Sequence, residues 1–146
     1  MQLPQDLHHF PHPTLIIVAN HFHADFWLAH NDQLDELHMI DMPEELKSDN
    51  EAAFVNTDHG YSSSGPEPHD DDRMMHFEKA VAEEISHVMR DKKATAFHLV
   101  ADQEVAGPIM ERLAGDVAPL ASWPVHADLV KSPVLDAVKR VVEKYV

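Results

Sequence analysis

Histidine is the residue with the most chemical potential in this sequence, which holds 13 of them. His21 and His23 stand two apart, and on a β-strand alternate residues share a face. Joined by His69, Asp70 or His76 from further along, they would offer imidazole nitrogens and a carboxylate to zinc or another divalent ion. The spacing matches no strong zinc signature, and among so many histidines chance pairs are ordinary. No cofactor is therefore required, and a divalent metal stays as the option. A second group lies closer together: His59, Gly60, Tyr61, Ser64, Gly65 and His69 are the candidates for a binding loop. Ser62, Ser63 and Ser64 have histidines nearby but no strand-turn-helix elbow to expose a nucleophile. Gly60 and Gly65 do not form a phosphate-binding fingerprint. Two-metal nuclease chemistry would need carboxylates at strand ends, and the first strand ends in Asn20. Asp102 follows a later strand, where it fits best as a helix N-cap. No catalytic set emerges.

The elements that position these residues follow from hydrophobic periodicity. Thr14 to Asn20 is a β-branched apolar run, as expected of a strand buried on both faces. Ala24 to His30 alternates, with Asp25, Trp27 and Ala29 on one side and Ala24, Phe26 and Leu28 on the other. Asn31-Asp32-Gln33 supplies a turn, and Leu34 to Asp41 reads as a third strand with Leu37 and Met39 on one face. Short connections make these three an antiparallel meander. From residue 42 to 72 the pattern stops, and a connection of that length is usually functional or disordered. Met74, Phe77, Val81, Ile85 and Val88 then form one helical stripe, with Asp70, Asp71 or Asp72 as N-cap.

Ala94 to Ala101 reads as a buried strand, and Gln103 to Ala114 as a helix interrupted or begun by Pro108. Leu120 to His126, bracketed by Pro119 and Pro124, reads as a fifth, edge strand. Ser132-Pro133 opens a last helix that turns Val134, Val138, Val141 and Tyr145 inward. Right-handed crossovers give the sheet order 3-2-1-4-5 with strand 2 antiparallel. The expectation is a single α/β domain over residues 1–146, with helices on both faces of a five-stranded mixed sheet in the ribonuclease-H-like manner. Residues 1–13 are expected to form a flexible tail.

Composition narrows the functions. The formal charge is −15, with 11 Lys and Arg against 26 Asp and Glu. Such a surface repels phosphate backbones at long range. The chain has no cysteine, which removes disulfide and thiolate chemistry and fits a cytoplasmic location. No run approaches the roughly 18 apolar residues of a membrane span, so no membrane partner is expected.

Four segments carry a family resemblance. They are LIIVANHFHADFWLA from Leu15, LKSDNEAAF from Leu46, HLVADQEVAGPIMERL from His98, and HADLVKSPVLDAV from His126. Together they resemble the bacterial host-attachment proteins, grouped with relatives of the middle domain of archaeal and eukaryotic peptide-release factors. The resemblance implies a release-factor-like binding domain, with the ribosome or tRNA as partner. Two departures bear on that. Asn20 stands where the family usually has aspartate, and His21 and His23 stand where it has arginines. The Gly-Gly-Gln tripeptide that release factors use to hydrolyse peptidyl-tRNA has no counterpart around Gly60-Tyr61 or Ser64-Gly65. The alternatives are a non-catalytic protein-interaction or regulatory module acting as a homodimer, and a His/Asp metal-dependent hydrolase.

Overall fold

The structure, a computed structural model, describes residues 1–42 and 66–145, with side chains from Arg73 onward in the second stretch. A short 3₁₀ turn (Gln5–Leu7) leads into β1 (Phe10–Ala19), β2 (His23–Asn31) and β3 (Gln33–Asp41). Helix α1 (Pro66–Asp91), strand β4 (Ala96–Val100) and helix α2 (Gln103–Glu111) follow. A 3₁₀ turn (Ala118–Leu120) and helix α3 (Val134–Tyr145) complete the order.

Among the described residues the sheet has four strands in the order β3-β2-β1-β4, not the five expected. The meander is antiparallel and β4 pairs parallel with β1, so the fourth strand does lie beside the first. The missing fifth strand is the segment around Ala121 to Val125. It reaches β4 only at two isolated bridges, Phe97 with Ala121 and Val100 with Val125. Pro124 has no N–H to add to a ladder, and Pro119 sits in the turn before it, so pairing stops after single contacts. With that strand gone, the ribonuclease-H-like arrangement is not what the sheet forms.

Two cores flank the sheet. Leu15, Ile17, Phe26, Phe97 and Leu99 form the first with Phe77, Val81 and Ile85 of α1 and Ile109 of α2. Ile16, Val18, Ala29 and Val100 face α3, which contributes Ala137, Val138 and Val141. Of the stripe expected on α1, Phe77, Val81, Ile85 and Val88 are buried while Met74 is only half-buried, and helices do cover both faces.

Three boundaries differ from expectation. Helix α1 begins at Pro66, so positions 70–72 lie inside it and not at its cap. Leu3, Leu7 and Phe10 are buried in the second core, and the main chain of Met1 and Leu3 bonds to Leu34 and Asp32. The first thirteen residues are thus docked where a tail was expected, because three apolar side chains outweigh the local polarity. In β3, a bulge opposite Phe26/Trp27 inserts one extra residue and inverts the side-chain alternation. Leu37 packs on the first core while Met39 turns to solvent at 52% exposure, so the two do not share a face.

Among the described residues, no helix is long and apolar enough to cross a membrane.

Candidate functional site

The carboxyl ends of the parallel strands β1 and β4 form the rim where open α/β sheets bind ligands. At this rim the chain turns from β1 into β2 through Asn20 to His23. Asn20 N–H donates to the His23 carbonyl at 2.9 Å. The Asn20 Oδ1 accepts from the N–H groups of Phe22 and His23, both at 2.8 Å. A single side-chain oxygen thus satisfies two backbone donors that the tight reversal strands, the capping role of an Asx turn. An aspartate at this position has the same acceptor geometry. Replacing Asn20 by alanine should cost about 1–2 kcal/mol, the usual penalty for orphaned donors, and Asn20→Asp far less. Urea denaturation of the two variants checks this.

His23 is held next to that turn. Its Nε2 lies 2.8 Å from Asp25 Oδ1, and its Nδ1 lies 3.5 Å from Asp41 Oδ1. The first carboxylate is on β2 and the second ends β3, so the imidazole braces two neighbouring strands. Met42 N–H donates to the Phe22 carbonyl at 2.6 Å, tying down the point where the chain leaves the rim. His21 is half-buried with its ring edge-on to Phe22 at 6.3 Å.

Asp102 also stands at this rim, exposed, as the N-cap residue of α2. Its carbonyl accepts from Val105 and Ala106, but its side chain makes no capping bond. The position expected of it is correct; the side-chain bond is absent.

Of the metal candidates, His23 opens β2 and His21 lies in the bend before that strand, so the two do not alternate along one strand, and His76 is exposed on α1. His69 and Asp70 fall in the first turns of α1, where side chains are outside the described set. Among the described residues, no group of three His, Asp or Glu converges on a position for a metal ion. The binding-loop candidates His59, Gly60, Tyr61, Ser64 and Gly65 lie outside the described residues.

Two features leave no mark in the sequence pattern. His98, on β4 beneath α3, is 8% exposed, and its Nδ1 has no hydrogen-bond partner. Burial pushes its pKa down from 6.5 to about 4. The Tyr145 ring covers it at a centroid distance of 5.0 Å. Elsewhere, Arg90 grips Asp116 through three contacts of 2.9 to 3.3 Å, and that hydrogen-bonded guanidinium holds the carboxyl below the usual range. The groove beside it, about 630 Å³, is lined by Ser86, His87, Arg90 and Arg112. Its arginines are already matched, Arg90 with Asp116 and Arg112 with Glu78 at 3.6 Å.

Comparison with known proteins bears on the whole of this chain. The family model described as "Protein required for attachment to host cells" matches residues 15–141. A solved structure described as "Archaeal protein" superposes with a TM-score of 0.54 at 13% identity. The alignment covers 91% of this chain and 33% of that one, so this chain spans about a third of that protein's length. At that identity the likeness is one of fold. No curated protein matches the chain.

Proposed function

This chain belongs to the host-attachment protein family, and from that membership we propose that it works by binding a protein partner and not by catalysis. The observation that carries the reading is the engagement of His23. His23 contacts Asp25 at 2.8 Å and Asp41 at 3.5 Å, and the second contact ties the start of β2 to the end of β3. A residue employed as a brace makes a rigid platform, and rigid platforms carrying loops are how folds present binding surfaces. The net charge of −15 supports a protein over a nucleic acid as the occupant. The family's description as required for attachment to host cells fits a protein that acts through contact.

The release-factor-like reading, with the ribosome or tRNA as partner, is the alternative, and one experiment separates the two. Tagged chain is used to capture partners from cell lysate, with and without RNase, at low and moderate salt. The expected result is a defined protein, retained after RNase and lost when His21 and Phe22 are both replaced by alanine. Recovery of ribosomes or tRNA that vanishes with RNase would overturn the proposal in favour of the translation role. Stoichiometric metal in the purified chain would instead favour the metal-dependent hydrolase.

A further inference from the structure

Trp123 is 80% exposed, the most exposed large apolar side chain among the described residues. Indole surface is costly to leave in water, and here the backbone that displays it is held on both sides. Ser122 N–H donates to Phe97 O at 3.2 Å and Val125 N–H to Leu99 O at 2.8 Å. The Trp123 carbonyl accepts from the Tyr145 hydroxyl, and the Pro124 carbonyl from Lys144 Nζ at 3.2 Å. The ring therefore stands out from a backbone fastened to both β4 and α3. A pre-positioned, exposed tryptophan has the form of an interface anchor.

A shallow groove of about 390 Å³ adjoins it, lined by Val125, His126, Arg140, Glu143 and Lys144. Its apolar floor, Val125, is bordered by charges of both signs. The mixture offsets, locally, the chain's net charge of −15. Two such chains repel each other over most of their surfaces. They repel least where Lys and Arg are interspersed with Glu, and residues 118–145 carry Lys131, Lys139, Arg140 and Lys144 against Asp128, Asp136 and Glu143.

We infer that the occupant of this surface is a second copy of the chain, in a two-fold symmetric pair. In an isologous contact, a patch must complement itself. This one does: each copy brings one indole and one groove, and Arg140 and Lys144 of one copy face the Glu143 of the other. An acidic peptide would complement only the cations, and a nucleic acid would meet Glu143 and the charge of the whole chain.

The test is sedimentation velocity on the full chain across the micromolar range, up to about 200 μM, for the wild type, Trp123→Ala and Glu143→Lys. Circular dichroism confirms that the variants are folded, as surface substitutions should be. The expected result is a wild-type dimer whose dissociation constant rises at least about 30-fold in Trp123→Ala, the loss of one hot spot. Glu143→Lys should weaken it further than raised salt does, because it makes the patch single-signed. The chain has no cysteine, so His126→Cys provides a single thiol, and a short bis-maleimide should link two copies in the wild-type background but not with Trp123→Ala. A wild type that stays monomeric throughout, or a dimer indifferent to both substitutions, overturns the inference.

Discussion

Replacing Phe26 by alanine should destabilise the protein by about 3–5 kcal/mol, the range for removing a fully buried phenylalanine and leaving a cavity. Phe26 is 0% exposed. It sits on β2, the strand paired on both sides by β1 and β3, and is clustered with Leu15, Phe77 and Val81. The strands hold its backbone in place and α1 closes over its ring, so neighbouring side chains have little freedom to fill the void. Domains of this kind have only about 5–15 kcal/mol of stability in total. The urea midpoint should therefore fall by about 2 M. Met39→Ala is the matched control on the adjacent strand. At 52% exposure it should change stability by less than about 0.5 kcal/mol. If both variants behave alike, the bulge that turns Met39 outward is misplaced and the two faces of β3 must be reassigned.

Met39 also shows what the sequence does and does not reveal. Strict alternation in β2 is legible, because Ala24, Phe26 and Leu28 do share one core while Trp27 and Ala29 join the other. The same rule applied to β3 pairs Leu37 with Met39, and one inserted residue reverses it. A bulge leaves no mark in composition, since it is a property of how two strands pair. The turn at Asn31 is legible for the opposite reason. Its φ of 57° is a conformation that asparagine tolerates better than most residues, so the residue type itself announces it. Pro119 and Pro124 warn correctly that pairing is poor. They do not say that it shrinks to two isolated bridges and leaves a four-stranded sheet.

The site is less legible than the fold. His21 and His23 stand out as a pair, but the groups that engage His23 are Asp25 and Asp41, the second of which is distant in sequence. Strand register brings Asp41 opposite His23, and register emerges only when the whole sheet is assembled. Trp123 is invisible for a different reason. An aromatic residue in an apolar stretch is ordinarily a core residue, and nothing local distinguishes one that is turned out. Asn20 is readable in part: its departure from aspartate stands out, while its use as a double acceptor requires the backbone of Phe22 and His23 to be in place.

His98 gives the second large effect, and it is one of pH. Burial lowers its folded pKa from 6.5 to about 4, so the native state disfavours the imidazolium that the unfolded chain accepts. The sign follows directly. Well above pH 6.5 His98 is neutral in both states, and its protonation does not affect stability. As the pH falls below 6.5, the unfolded state takes up a proton that the folded state refuses, and stability is lost. The loss levels off near pH 4, where the folded state protonates too, and by then it amounts to about 3 kcal/mol. A leucine at this position removes the titration and also the Nδ1 that has no partner, while keeping apolar contact with Ile16, its neighbour across the β1–β4 pairing, and with Tyr145. His98→Leu should therefore show a shallower decline in stability between pH 6.5 and 4 than the wild type. Every other ionisable group is common to the two proteins, so its contribution cancels in the difference. Urea titrations of the two proteins at pH 7, 5.5 and 4 measure it. Parallel curves would mean that His98 gains its proton without opening the contact beneath Tyr145, and that this part of the α3 interface admits water.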